Sequence, residues 1–199
     1  MNDSERSSLV GLYSERVAEL GYDVRSLGWK SREDQNLRFQ VLADIADLRN
    51  SSVCDVGCGF GDLLPYLNER FGAVQYHGVD ICQDLLEIAG RRRPDIRFSL
   101  ADILSPAYSE LADWHLLSGA LSYKLSDNLA FTERMLGRML ELSAKGVAAN
   151  FLSSHVNFQH PRNYHHDPCD VFRIARRLTS KVTLRHDYPL WEFTIYLYK

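Results

Sequence analysis

A chain of 199 residues that is 45% hydrophobic suits one domain of ordinary size with a proper core. Its net charge is −3 and its only dense basic run is Arg91-Arg92-Arg93, so the electrostatic footprint of a nucleic-acid binder is missing and a small-molecule partner is expected instead. The four cysteines, Cys54, Cys58, Cys82 and Cys169, show neither paired zinc-ligand spacing nor the density of a disulfide scaffold. With no basic leader before an apolar block and no apolar run near membrane-span length, a cytoplasmic protein is expected, with no membrane partner, as monomer or homodimer.

In chain order, Leu9, Leu12, Tyr13, Val17 and Leu20 form one helical stripe over residues 4–20, which Gly21 ends. Ser31 and Asp34 have a spacing like that of a capping box, and the helix they open is predicted to run through Leu37, Val41, Leu42, Ile45 and Leu48. Strand and helix then alternate: strands at 53–56, 74–80, 96–101, 114–118 and 146–152, and helices at 61–70, 83–92 and 127–143. Such alternation implies right-handed crossovers and a parallel sheet covered on both faces. The Arg91-Arg92-Arg93 run reads as a solvated helix end, favoured by the helix dipole and stopped by Pro94. In the tail, Asp167-Pro168 reads as an N-cap with proline at the first helical position. Alternation at Val182, Leu184 and His186, a short connection, and a strand at 191–198 then predict a closing antiparallel hairpin.

The most informative stretch is Val53-Cys54-Asp55-Val56-Gly57-Cys58-Gly59-Phe60-Gly61-Asp62, a strand leading through alternating glycines into a helix. Glycines remove the Cβ atoms that keep a ligand off the backbone, and the helix beyond offers unpaired N–H groups. A dinucleotide fingerprint reads G-x-G-x-x-G, whereas these glycines fall at every second residue with an acid two positions before the first. That acid would repel a pyrophosphate and attract an ammonium group.

On these residues, and on the acids closing the next two strands, Val79-Asp80 and Ala101-Asp102-Ile103, the chain resembles the class I S-adenosylmethionine-dependent methyltransferases, whose first motif reads E/D-x-G-x-G-x-G. The resemblance covers roughly residues 50–120 by motif and the rest by order of elements. It implies an α/β, Rossmann-like fold: a central seven-stranded, mostly parallel sheet of order 3-2-1-4-5-7-6 with its last strand antiparallel. Residues 1–48 would be N-terminal helices forming a lid, and 50–199 the core of one domain.

In such a sheet a ligand lies beyond the carboxyl ends of the strands, where strand order reverses. For S-adenosyl-L-methionine as cofactor, the resemblance places Asp55, Gly57 and Gly59 around the methionine end, with Gly61 allowing close packing of strand and helix. Asp80, 25 residues after Asp55, would accept the ribose hydroxyls, and Ile81 would lie on the adenine face. Asp102 and the N–H of Ile103 would meet the adenine edge, with Ser118 and Gly119 offering carbonyls. From the lid, Trp29, Gln35 and Arg38 are expected to face the pocket, Arg38 towards a cofactor or substrate carboxylate.

Methyl transfer is an in-line displacement that asks the protein to align and desolvate the reactants and, for some acceptors, to remove a proton. The loop after the fifth strand, rich in His, Asn and aromatics, is expected to form the substrate wall, with Asn150, His155 and Tyr164 as leading catalytic contacts beside Tyr123. His155 would be the general base. Four histidines of this loop, His155, His160, His165 and His166, lack ligand spacing on a regular element, so no metal is expected. The leading reading is methyl transfer to O or N of a small molecule. Chemistry on the aminobutyrate arm, releasing methylthioadenosine, and a cofactor-binding protein without turnover are the alternatives.

Overall fold

The computed structural model describes all 199 residues. Helix α1 (Asp3–Leu20) starts at a capping box: the Asn2 side chain accepts the Glu5 N–H while the Glu5 carboxylate accepts the Asn2 N–H. Gly21 ends it at φ 62°. A 3-10 turn, Val24–Leu27, leads into α2 (Arg32–Ala43), whose Ser31 cap accepts the Asp34 N–H at 3.1 Å. Helix α2 stops short of the predicted Leu48. Ile45 and Leu48 are nonetheless buried in the turn that follows, so the apolar spacing reported their burial rather than their conformation.

The sheet strands are β1 (Ser52–Val56), β2 (Gln75–Asp80), β3 (Arg97–Leu100), β4 (Ala112–Leu117), β5 (Ser143–Leu152), β6 (Lys181–Arg185) and β7 (Glu192–Tyr198). Helices α3 (Leu63–Phe71), α4 (Gln83–Arg92), α5 (Asn128–Leu142) and α6 (Pro168–Leu178) connect them. Their order is β3-β2-β1-β4-β5-β7-β6, with β7 antiparallel to both β5 and β6 and every other pairing parallel. Strand order therefore reverses between β1 and β4.

Alternate side chains feed two cores. Leu117, Val147, Ala149, Phe151 and Ile195 pack on one face beneath α5 and α6. Val53, Leu116, Ala148 and Tyr196 pack on the other beneath α2 and α3. Strands β1 and β4 are buried on both faces, and their buried polar residues Asp55 and His115 are each hydrogen-bonded, to Tyr76 and Ser143. Strand β5 begins at Ser143, directly after α5, rather than at the predicted residue 146. Ser143 makes that junction. Its hydroxyl donates to the Met139 carbonyl at 2.7 Å and accepts from His115 Nδ1 at 2.9 Å.

His115 is fully buried, and its remaining nitrogen has no partner. Burial pushes it down to about 4, which leaves the ring neutral in the fold. The unfolded chain, with an ordinary histidine, takes up a proton first as pH falls. His115 therefore adds stability above about pH 6.5 that is lost towards pH 4. Compared with His115→Leu, the wild type should lose about 1.4 kcal/mol per pH unit across that window. Urea melts of both proteins at pH 7, 6 and 5 check this, and a constant difference between them refutes it.

Candidate active site

Strand β1 delivers Asp55 and then a loop in which Gly57, Gly59 and Gly61 all take left-handed φ, between 54° and 69°. The requirement is steric as well as conformational at Gly59: a Cβ there would lie 2.8 Å from the Leu27 side chain. Gly61 rests against the Phe98 ring of β3. The loop is tied to β2 by the Val79 carbonyl, which accepts the N–H groups of Gly57 and Cys58.

Asp80 organises the same corner. One carboxylate oxygen accepts the Gly59 N–H at 2.9 Å and the other accepts the Cys82 N–H at 2.9 Å. Burial raises its pKa, and the backbone N–H groups oppose that. Asp55 is 2% exposed and accepts a 2.6 Å hydrogen bond from the Tyr76 hydroxyl. Burial pushes it up to about 7 against that hydrogen bond, with Asp80 and Asp62 adding to the rise.

These groups line a cleft at the carboxyl ends of β1, β2, β3 and β4, enclosing about 1240 Å³ of space with its open mouth included. Asp55, Gly57, Gly59, Asp80 and Ile81 all line it, as do Asp102, Ile103, Ser118, Gly119 and Trp29. Asp102 caps its own turn through the Leu104 N–H at 2.9 Å and pairs with Arg6 of α1 at 3.3 Å.

The N-terminal segments roof this cleft. Leu9, Val10 and Tyr13 of α1, Leu27 and Trp29 of the connection, and Gln35 and Phe39 of α2 all reach it. The Trp29 ring lies on Gly119, where a Cβ would come within 2.1 Å of it. Gly119 has φ 75°, so no other residue fits there without moving the roof.

Sequence reasoning missed the latch that holds this roof. Asp62, 6% exposed, accepts from the Tyr22 hydroxyl at 2.6 Å and from Arg32 at 2.7 Å, and Arg93 of the α4 end lies 3.3 Å away. Arg92 stacks on the Tyr22 ring. The only signal for Asp62 was its place directly after the last loop glycine.

Four expected residues lie elsewhere than the cleft lining. Arg38 is corrected: its Nε and Nη2 edge is taken by Glu192 of β7, with Nε at 2.8 and 3.0 Å from the two carboxylate oxygens, and its guanidinium stacks on Trp29 at 4.2 Å. The bidentate edge expected to hold a ligand is consumed by a buried ion pair. Asn150, 1% exposed, spends its carbonyl on the Gly119 N–H at 2.7 Å and so lies beneath the cleft floor. His155 is exposed, with its ring beside His186 rather than the cleft. Tyr164 packs on the His166 ring, and its N–H donates to the Ser122 carbonyl. The loop carrying these two residues folds back on residues 122–124, through the Tyr123 and Asn163 bridge, so only Tyr123 of the four catalytic candidates lines the cleft. Residue type alone did not show which way that loop turns.

A sheet of this order, with an acid and left-handed glycines at its reversal point, defines the class I methyltransferase architecture. A family model described as a methyltransferase domain matches residues 53–157. The Mycobacterium tuberculosis protein Rv1506c, which bears a methyltransferase name, is 33% identical over 155 residues, 74% of this chain and 93% of that protein. Trans-aconitate 2-methyltransferase of Sinorhizobium medicae is 30% identical over 122 residues, 59% of this chain; the chain spans 45% of that relative's length. Among solved structures, magnesium protoporphyrin IX methyltransferase from Synechocystis with bound SAM matches over the whole of both chains with a TM-score of 0.70 at 15% identity, a likeness of fold. The chain thus belongs to the methyltransferase-domain family and is an S-adenosylmethionine-dependent methyltransferase.

Since Asp80 holds two backbone N–H groups, Asp80→Ala should lower stability by about 1.5–3 kcal/mol, the range for hydrogen bonds to a charged group. Asp80→Asn, which keeps one acceptor, should lose less. Equilibrium unfolding in urea ranks the variants, and a wild-type midpoint for Asp80→Ala excludes this structural role.

Proposed function

We propose that the chain transfers a methyl group from S-adenosylmethionine to an oxygen or nitrogen of a small-molecule acceptor, as one domain whose first 48 residues act as a lid. The observation that carries this reading is the junction of β1 and β2, where Asp80 clamps a loop of left-handed glycines beneath a roofed cleft. Bound there, the cofactor supplies an electrophilic methyl group on a sulfonium. The chain's own residues do the rest. Asp55 faces the ammonium of the methionine end, beside Gly57 and Gly59. Asp80 has lone pairs left after its two backbone contacts, and these suit the ribose hydroxyls. Ile81 and Ile103 flank the adenine, with Asp102 at its edge.

Leu27 and Trp29 sit against Gly59 and Gly119, so admitting the ligand requires the roof to shift and then close. Closure excludes water, which strengthens each polar contact inside. The acceptor meets the methyl beyond Ser118 and Gly119, near Tyr123. A roofed, largely apolar cleft and a chain of net charge −3 favour a small acceptor over a nucleic acid. No helix is long and apolar enough to cross a membrane. Three of the four cysteines are buried free thiols, which fits the reducing conditions of a cytoplasmic location.

Incubation with S-adenosylmethionine and acceptor extracts should yield S-adenosylhomocysteine. Methylthioadenosine in its place would move the chemistry to the aminobutyrate arm, and an absence of binding by calorimetry would sink the reading. Affinity also carries a pH signature. Asp55 titrates near 7 in the free protein and must be ionised to pair with an ammonium. Affinity should therefore rise between pH 5 and about 7, by up to about tenfold per unit. Asp55→Asn should flatten that slope; a wild-type slope in the variant removes Asp55 from the ammonium site.

A further inference from the structure

With Arg38 held by Glu192, the methionine end of the cofactor lacks a partner for its carboxylate, since Asp55 accounts only for the ammonium. No arginine, lysine or histidine lines the cleft. The lining side chains that carry N–H groups are Trp29 and Gln35.

Gln35 of α2 is 1% exposed, and its amide is oriented from behind. Arg32 Nη1 donates to Gln35 Oε1 at 2.6 Å and to Asp62 at 2.7 Å. A guanidinium can only donate, so the amide must offer it the oxygen, and Nε2 is left as the free end. That nitrogen makes no hydrogen bond within the chain and, unlike Arg38 Nη1 and Asn150 Nδ2, is not sealed from solvent, so it opens on the cleft that Gln35 lines. Because one Arg32 nitrogen holds both Gln35 and Asp62, the amide sits beside the glycine loop that follows Asp55.

We infer that Gln35 reads the carboxylate of the cofactor's methionine end, donating from Nε2 while Asp55 takes the ammonium; this rests on the methyl-transfer reading above and deepens it. The consequence is one of selectivity. Asp55 and Asp80 line the cleft with no cation paired to either, so their field favours an amine over a ligand that adds a negative group. A hydrogen bond from the amide to a charged group, worth about ten- to a hundredfold in affinity, turns that preference towards the full amino acid. Recognition is also joined to the roof, since the arginine that orients Gln35 is the one that ties α2 to Asp62.

The test titrates the full chain calorimetrically with S-adenosylhomocysteine and with its decarboxylated analogue, which keeps the adenosine, the thioether and the amine. Losses common to both ligands, from the fold, the roof or Asp55, cancel in the ratio of their dissociation constants. The wild type should prefer S-adenosylhomocysteine by about tenfold or more. Gln35→Met, close in shape but without a donor, should remove that preference. Gln35→Glu, which still accepts from Arg32 but sets a negative charge against the carboxylate, should reverse it, and it decides alone if circular dichroism shows Gln35→Met unfolded. A wild-type ratio in either folded variant overturns the assignment, as does equal binding of the two ligands by the wild type. Failure of S-adenosylhomocysteine to bind at all would overturn the methyl-transfer reading, and this one with it.

Discussion

The site hangs on one carboxylate. By accepting the N–H of Gly59 with one oxygen and that of Cys82 with the other, Asp80 joins the loop after β1 to the turn after β2. Two separate connections thereby become one rigid rim at the point where the sheet reverses its strand order. The glycines make this possible, since their left-handed dihedrals let the loop turn so that the Gly59 N–H meets the acid while those of Gly57 and Cys58 meet the Val79 carbonyl. Desolvation works against the arrangement by raising the pKa of Asp80, and the backbone donors offset it.

A second set of charges determines how the roof sits on that rim. Asp62 leaves the glycine loop one residue after its last glycine and gathers Tyr22, Arg32 and Arg93, so the helices that cover the cleft are tied to the loop beneath them. At the far end Glu5 accepts the Ser126 N–H and Arg6 meets Asp102. Helix α1 has no fully buried residue, so its position depends on these end contacts and on a small cluster around Phe60. Helix α1, held by polar ends over few apolar contacts, is thus loosely coupled to the core and suits the lid proposed above, whereas α2 is part of the core through Phe39, Leu42 and Ala43.

Under the other half of the roof the ion pair of Arg38 and Glu192 is nearly dry. Such a pair contributes little net stability, because desolvating both charges offsets most of their attraction. Its effect is positional: it pins the guanidinium flat against Trp29 and sets Trp29 on Gly119. Arginine and glutamate so deep in the chain are otherwise hard to explain.

Much of this was legible beforehand. Strand and helix periods, the acid-and-glycine run, and the acids at Asp80 and Asp102 are local signals, because backbone dihedrals and apolar spacing are set by residues near each other in the chain. They located the sheet, its order of elements and the cleft at the carboxyl ends of its strands. What the sequence left open depends on contacts between residues far apart. Arg38 meets Glu192 across 154 positions, and Asn150 meets Gly119 across 31. The loop bearing His155 and Tyr164 folds back on residues 122–124 instead of into the cleft. Residue type shows that a side chain can donate, accept or titrate. Only the packed chain decides which partner satisfies it first, because a buried polar group takes the nearest complementary group, and that neighbour is chosen by the tertiary fold.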